Sequence, residues 1–464
     1  MQHALLIALV AAAYLLFAGS PGWTTLPLLA LALVAALAAP RRTWAFPRPL
    51  RALDAALVTS LAAIAFQLVP LPRAVVAWLS PRAEAVRSAV SLAPLPEGWL
   101  PLSLDPPATA QALGNLALAT LTYWVARAVF SAGGGVRRYC RALAGLGAVA
   151  AVVAAVQRAI DPTLVLGLVR VGGFGTPFGA FVNRNHFAAW LLMIVALSAG
   201  YFAAHARIHL ADQRGWRNQV RTILTSGGLL TLACVALMLV VLLLTLSRSA
   251  AIGMGAAAVT AWLLARHRVA FDRRSTLVIL GLAGAAILVG SAFVDLDAWA
   301  DRLQHSFGDA GQARSRLVIW RETLPMMRDF WLTGTGAGAY GTGILVYQQS
   351  RTWIPHLAGW TYFNQAHSHY VQVAAEGGLL LVLPAAAGLA ALVVLGRRAL
   401  AADRGEIYWV RVGAAAGLAG IAAQSVWETA LRLPANAVLS ATLVAVLLHQ
   451  RREAHHPHHR ADAD

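Results

Sequence analysis

The chain has 464 residues, of which 59% are hydrophobic and 12% are charged, and its mean hydropathy is +0.63. A soluble globular protein carries about twice that share of charged residues, so the composition excludes an ordinary soluble domain. The formal net charge is +17, but the arginines are divided among short loops, which argues against a nucleic-acid-binding protein.

Apolar runs recur along the whole chain. A run of roughly 20 apolar residues is long enough to cross the hydrocarbon core of a bilayer as an α-helix. We therefore predict an all-α polytopic membrane protein with about twelve transmembrane helices. The predicted spans cover residues 4–18, 24–40, 54–72, 109–130, 141–158, 187–205, 225–246, 250–265, 276–294, 376–396, 408–428 and 434–450.

The distribution of arginine predicts the orientation of these spans. Of the 37 arginines, 23 lie near alternate span ends, in six segments around residues 41–51, 127–141, 207–221, 266–274, 397–411 and 451–460. The positive-inside rule assigns those segments, and with them both termini, to the cytoplasm. Three long loops then face the other side, at residues 73–108, 159–186 and 295–375. The last of these is long enough to indicate a function, and its segment from Arg316 to Arg328 has an amphipathic helical pattern.

Two polar motifs lie at outer span ends in the middle of the chain. Asn183, Arg184 and Asn185 precede the sixth span, where they are either ligand-binding groups or a helix cap in which Asn185 accepts from the first-turn amides. Arg248 lies in a short turn between the seventh and eighth spans. It either snorkels toward water or is a fixed cation that faces an anionic substrate.

The third polar group lies in and after the largest loop. Arg316 comes first, followed by a glycine run at residues 334–338 that is more typical of a tight turn than of a phosphate loop. The segment His367–Glu376 then brings two histidines, Tyr370, Gln372 and a carboxylate to the point where the chain re-enters apolar sequence. His367 and His369 are two residues apart and would not share a helix face, so we predict no metal site.

Arginine and histidine together suit one kind of membrane chemistry. A guanidinium is permanently charged and can bind two oxygens of a diphosphate, and a histidine can serve as a general base near neutral pH. Glycosyl transfer from a lipid diphosphate needs both, because a hydroxyl must lose a proton and the departing diphosphate must be stabilised.

At these positions the chain resembles the O-antigen ligase and polymerase family of bacterial envelope proteins. The similar motifs are Phe181–Ala188, Thr245–Arg248, Arg316 with Trp320, Thr333–Gly336 and Ala366–Gly377, and Ser368 and Trp331 depart from the family pattern. The resemblance implies a C-type glycosyltransferase fold without metal or other cofactor. It also implies that His367 is the base, that Arg248 and Arg316 hold the diphosphate, and that His369 is a supporting or a surface residue.

Combining the motifs with the resemblance, we expect a catalytic region at residues 175–385 between transmembrane helices at 1–174 and 386–450, and a cytoplasmic tail at 451–464. Predicted substrate-binding residues are Asn183, Arg184, Asn185, Tyr370, Gln372 and Glu376.

The expected reaction takes place at the periplasmic face of the bacterial inner membrane. It moves a glycan from undecaprenyl diphosphate to a hydroxyl of lipid A–core, as in a ligase, or of a second lipid-linked glycan, as in a polymerase. Membrane lipids are the other expected partner. The alternative is a transporter or flippase of a lipid-linked glycan, which would carry polar residues along the middle of its spans.

Overall fold

The computed structural model describes residues 2–39, 44, 48–131, 135–172, 175–210, 217–218, 221, 228–266, 268, 310–350, 353–354 and 359–449. The predicted span at 276–294 and the predicted tail at 451–464 lie outside these residues. So does the part of the predicted outer loop from 295 to 309.

The described residues are mainly helical. The helices are α1 (Gln2–Leu15), α2 (Thr25–Ala38), α3 (Arg51–Leu68), α4 (Arg73–Leu79), α5 (Ala83–Val90), α6 (Pro106–Phe130), α7 (Gly135–Ile160), α8 (Arg184–Leu210), α9 (Gly228–Leu244), α10 (Arg248–Ala265), α11 (Ala310–Asp329), α12 (Tyr340–Ile344), α13 (His369–Ala402), α14 (Ile407–Gln424) and α15 (Pro434–Leu447). Short 3-10 turns lie at Phe17–Gly19, Gly22–Thr24, Arg48–Leu50 and Ala430–Arg432.

Within the described residues, strands are confined to three antiparallel two-residue pairs. Strand β1 (Leu71–Pro72) pairs with β2 (Trp99–Leu100), β3 (Leu164–Val165) with β4 (Val169–Arg170), and β5 (Trp353–Ile354) with β6 (Gly359–Trp360). They close loops and form no sheet core.

Six described helices are long and apolar enough to cross a membrane: α3 with the turn before it, α6, α7, α8, α10 and α13. Helices α1, α2, α9 and α15 are apolar but shorter. The protein is therefore an all-α, multi-pass membrane protein, and the expected number of twelve spans stays a prediction.

The core is formed where α8 lies between its neighbours. Helix α8 is the most buried of the long apolar helices, and Trp190 and Phe187 on it have no exposed surface. Helix α8 packs closely on α14 because Gly200 has no side chain. A Cβ atom there would lie 2.5 Å from the carbonyl oxygen of Trp409. Small residues at such crossings let membrane helices approach through their backbones. This contact fixes the start of α8 beside the end of α14.

A second apolar cluster lies on one side of this bundle. It joins α4, α5 and the segment 100–104 to α11 and α12, with Val76, Leu102, Phe330 and Tyr340 buried at its centre. Gln67 at the end of α3 links this cluster to α13, because its Nε2 donates to the carbonyl oxygens of Thr333 (2.7 Å) and Glu376 (3.0 Å). The cluster therefore holds α11 in a fixed position relative to α13.

The glycine run forms the tight turn that the sequence predicts. Gly334 has a φ of +68°, and a Cβ atom there would lie 2.1 Å from the carbonyl oxygen of Glu376. The turn pairs with the backbone of α13 at a break, since Gly378 within the helix has a φ of +53° and Leu379 donates to the carbonyl oxygen of Trp331 (2.9 Å). This pairing locates the first turns of α13, which follow the His367 segment.

Candidate functional site

Five segments meet at one end of the α8–α14 pair. They are the starts of α8 and α10, the side of α11 around Arg316, the segment 365–369 before α13 and the segment 424–429 after α14. The sequence motifs contain the first four segments. The last one was not predicted to be part of the site.

Glu428 lies at the centre of this cluster with 1% of its side chain exposed. Its Oε1 accepts from Arg316 Nη2 (2.6 Å) and from Asn185 Nδ2 (2.8 Å), and its Oε2 lies 3.8 Å from His186 Nε2. Burial raises the pKa of the Glu428 carboxyl, and the charge and hydrogen bond of Arg316 oppose that rise. A buried carboxylate needs such partners, so Glu428 holds Arg316 and Asn185 in fixed positions.

Arg316 is thus paired with a carboxylate in the structure. Its guanidinium forms an ion pair, while 26% of its side chain stays exposed. One Nη atom binds Glu428, and the guanidinium has five N–H donors in all. Arg316 therefore has a fixed direction and spare donors for a second anion.

The start of α8 assigns different roles to its two asparagines. The Asn183 side chain accepts from the Asn185 backbone N–H (2.8 Å), and the Asn183 carbonyl accepts from His186 and Phe187. Asn183 therefore caps the helix, which corrects the interpretation that Asn185 is the cap. The Asn185 side chain donates to Glu428, and the charge of the half-buried Arg184 also acts on that carboxylate.

His367 has a strained backbone. Its φ of +49° lies in the left-handed region, which costs a non-glycine residue about 1 kcal/mol or more. Its ring nitrogens make no hydrogen bond to another described residue. Burial, and then the nearby charge of Arg316, lower the pKa of His367 to about 4. The imidazole is therefore neutral at pH 7 and can accept a proton.

The strained backbone at His367 is held from both sides. Trp320 Nε1 donates to the carbonyl oxygen of Ala366 (2.9 Å), and its ring stacks on Trp427 with centroids 5.3 Å apart. On the other side, the backbone N–H of His369 donates to the carbonyl oxygen of Ser425 (2.8 Å), and the Ser368 hydroxyl caps α13. Trp320 on α11 and the segment after α14 thus fix the position of His367.

Three predicted binding residues on α13 make contacts within the protein. Gln372 accepts from the backbone N–H of Ala366 (2.7 Å) and donates to Glu376 Oε1 (2.5 Å). Both side chains are buried, and they brace the His367 segment. Tyr370 is 46% exposed and donates to the carbonyl oxygen of Ala422 (2.8 Å). Their contacts with substrate stay a prediction.

Arg248 begins α10, whose cap is the Ser247 hydroxyl. The preceding Leu246 has a φ of +51°, so this turn is also strained. The side chain of Arg248 is exposed and makes no ion pair with another described residue. Gln424 Nε2 donates to the hydroxyl oxygen of the neighbouring Ser249 (3.3 Å) and to the carbonyl oxygen of Asn185 (2.9 Å). Arg248 is therefore an available cation at a helix N-terminus, next to the cluster.

Sequence reasoning missed Glu428 and Gln424. One signal was present, because Glu428 is the sole acidic residue between Glu406 and Glu453 in a mostly apolar stretch. The rule that singled out Arg248 applies equally to a lone carboxylate. Both Glu428 and Gln424 lie outside the predicted catalytic region at 175–385, whose bounds stay a prediction. Within the described part of the chain, His, Cys, Asp and Glu form no group of three with a metal-binding arrangement.

A family model described as O-antigen ligase matches residues 233–386. Arg248, Arg316 and His367 lie inside the matched segment, whereas Asn185 and Glu428 lie outside it. No curated protein matches the chain. The match indicates glycosyl transfer of the ligase or polymerase type in a membrane, which agrees with the apolar helices. Over residues 233–386, the chain is therefore similar to the O-antigen ligase family.

Proposed function

We propose that the protein is an inner-membrane glycosyltransferase. It moves a glycan from undecaprenyl diphosphate to a hydroxyl acceptor on the periplasmic side, without a metal ion. The observation that carries this proposal is His367, a neutral imidazole free of hydrogen bonds to described residues, close to a fixed arginine.

The reaction begins at His367. One ring nitrogen takes the proton of the acceptor hydroxyl while the hydroxyl oxygen attacks the anomeric carbon of the donor glycan. The bond between that carbon and the diphosphate oxygen breaks, and its electron pair leaves with the undecaprenyl diphosphate. The protonated imidazole then releases its proton to water, which restores the neutral base.

The leaving diphosphate gains negative charge as this bond breaks. Arg248 and the spare donors of Arg316 stabilise that charge, and fixed donors are effective because they need no rearrangement during the reaction. Glu428 keeps Arg316 oriented and balances its charge. The proposed substrate contacts stay Asn183, Arg184, Asn185, Tyr370, Gln372 and Glu376. Asn183, Gln372 and Glu376 also position the backbone of the site.

The location at the periplasmic face rests on the arginine distribution. The helix ends that carry Asn185, Arg248, His367 and Glu428 belong to the arginine-poor set, and the opposite ends of α8, α13 and α14 carry the arginine-rich segments. Both termini are then cytoplasmic. The polar residues of the cluster gather at helix ends and not along mid-span positions, which favours catalysis over the flippase alternative.

The test is a transfer assay with purified protein in lipid nanodiscs. The donor is an undecaprenyl-diphosphate glycan, and the acceptor is either lipid A–core or a second lipid-linked glycan, with and without EDTA. We expect a glycosidic product with one acceptor and an equal rate with EDTA. No product with either acceptor would overturn the enzyme proposal, and a rate abolished by EDTA would overturn metal independence. Donor crossing liposome membranes without product would identify a flippase.

A further inference from the structure

The carboxylate of Glu428 is bound through only one of its two oxygens. Oε1 accepts from Arg316 Nη2 (2.6 Å) and from Asn185 Nδ2 (2.8 Å), whereas Oε2 accepts no hydrogen bond from a described residue. An ionised carboxylate can accept at about four lone-pair sites, and a buried acceptor that stays unbound costs free energy. Oε2 can therefore accept a further donor.

The group opposite Oε2 is the imidazole of His186. Its Nε2 atom is buried, has no hydrogen-bond partner among the described residues, and lies 3.8 Å from Oε2. That distance is too long for a hydrogen bond and too short for a bridging water, which joins atoms about 4.7 Å apart. A shift of about 1 Å would bring the two atoms into direct contact. Nε2 can carry the ring proton, so a donor without an acceptor faces an acceptor without a donor.

The backbones on both sides of this gap are held by one buried side chain. Asn436 Nδ2 donates to the carbonyl oxygen of His186 (3.2 Å) and to that of Ala430 (3.0 Å), two residues after Glu428. The backbone N–H of His186 also donates to the carbonyl oxygen of Asn183 (3.1 Å). Because both backbones are fixed, small side-chain rotations are enough to close the gap.

Arg316 is the point at which two anions compete. In the proposed function, its guanidinium binds the leaving diphosphate, and 26% of its side chain is exposed. A phosphate oxygen and the Glu428 carboxylate are both strong acceptors for a guanidinium, so a bound diphosphate weakens the bond from Arg316 to Oε1. A buried carboxylate that loses part of its ion pair needs another donor, because an uncompensated buried charge is strongly destabilising.

We propose that His186 is a positioning residue, whose Nε2–H binds Glu428 Oε2 as Arg316 turns to the diphosphate. His186 thereby keeps Glu428 in place, and Glu428 keeps Asn185 in place while the donor is bound. A neutral imidazole with its proton on Nε2 is sufficient for this bond. The role with the diphosphate rests on the proposed function, whereas the pairing of His186 with Glu428 does not.

A double-mutant cycle tests the proposal through kcat/KM for the undecaprenyl-diphosphate glycan in nanodiscs. His186→Leu removes the donor, and His186→Gln places an amide N–H near the position of Nε2. We expect His186→Leu to lower kcat/KM about tenfold and His186→Gln to restore it to within about twofold of wild type. In a Glu428→Met background, which lacks both carboxylate oxygens, His186→Leu should cause no further loss.

The matched control is His205→Leu, because His205 lies near the other end of the same helix. It should keep the wild-type kcat/KM. Equal losses from His186→Leu with and without the Glu428 carboxylate would overturn the proposal. Full activity in His186→Leu, or a His186→Gln variant no more active than His186→Leu, would also overturn it.

A second measurement uses wild-type protein and needs no turnover. The ring nitrogen resonances of isotope-labelled His186, assigned through the backbone in nanodiscs, report which nitrogen carries the proton and whether that proton is hydrogen-bonded. We expect the proton on Nε2, and an Nε2 resonance that moves by several parts per million when undecaprenyl diphosphate is added. A proton on Nδ1, or an unmoved Nε2 resonance, would overturn the proposal.

Failure of the proposal and failure of the proposed function give different results. If wild type transfers the glycan and the Nε2 resonance does not move, the role of His186 fails and the proposed function stands. If the resonance moves but no product forms with either acceptor, the proposed function fails and the pairing of His186 with Glu428 stands.

Discussion

Helices α13 and α14 lie side by side, and an arginine–carboxylate ion pair is found at each end of this helix pair. The two ion pairs differ in the groups that surround them. At one end, Arg411 Nε donates to Asp403 Oδ2 (2.8 Å), while its other nitrogens donate to the carbonyl oxygens of Leu447 (2.7 Å) and His449. At the other end, Arg316 pairs with Glu428, and the neighbouring groups are less completely bonded.

Of the two ends, the one with Glu428 carries buried polar atoms without a hydrogen bond. Among the described residues, His186 Nε2 and Gln424 Oε1 are buried without a hydrogen bond, and the His367 ring nitrogens have no partner. Native proteins leave few buried polar atoms unpaired, and such atoms call for an explanation. The comparison suggests that a structural ion pair is saturated by its surroundings, whereas a catalytic one keeps donors and acceptors available for a substrate.

Substituting the arginines of the two ion pairs should affect kcat very differently, and Arg316→Gln should have the largest effect. We expect it to lower kcat about a thousandfold, because one fixed donor to the leaving diphosphate is lost. Steady-state transfer kinetics measure this value. Arg411→Gln is the matched control, and its kcat per folded molecule should equal that of wild type. Equal losses of kcat in the two variants would remove the distinction between the ends.

Arg411→Gln should instead affect stability. The side chain is 9% exposed, and removing it leaves Asp403 and two carbonyl groups without their donor. We expect the free energy of unfolding to fall by about 2 kcal/mol, which reversible unfolding in mixed micelles can measure. An unchanged free energy of unfolding would show that the saturated pair contributes nothing to the fold.

Arg248→Gln should have a smaller effect that is confined to the donor. Its exposed guanidinium makes no ion pair with a described residue, so its loss leaves no buried partner unpaired. We expect kcat/KM for the lipid diphosphate donor to fall about tenfold, with an unchanged KM for the acceptor. A matching rise in the KM of the acceptor would move Arg248 away from the diphosphate.

The pH dependence sharpens the assignment of the base. Burial lowers the pKa of His367 to about 4, so its neutral form persists as pH falls from 7 to 5 and is lost only as pH passes through about 4. We expect kcat to stay level over that interval, whereas a histidine of ordinary pKa would lose about thirtyfold at pH 5. Glu428→Gln is the control, because Glu428 is the other titrating group. The acidic limb of its kcat–pH profile should lie at the same pH as that of wild type. A limb near pH 6.5 would contradict the buried, neutral imidazole.

The sequence predicted much of this arrangement because its signals are local. Apolar runs located helices such as α8 and α13, and polar residues next to them drew attention to Arg248 and His367. The partner of Arg316 could not be inferred in this way, because Glu428 lies 112 residues further along the chain. Contacts of this kind depend on packing, which the periodicity of one chain does not encode.

The most direct test of the catalytic centre compares His367→Ala with His205→Ala. His205 is a half-buried histidine on α8, about 30 Å along that helix from its start at Arg184. We predict that His367→Ala lowers kcat about a thousandfold, and that both variants unfold at the wild-type temperature while His205→Ala keeps the wild-type kcat. Full activity in folded His367→Ala would contradict the assignment of His367 as the base.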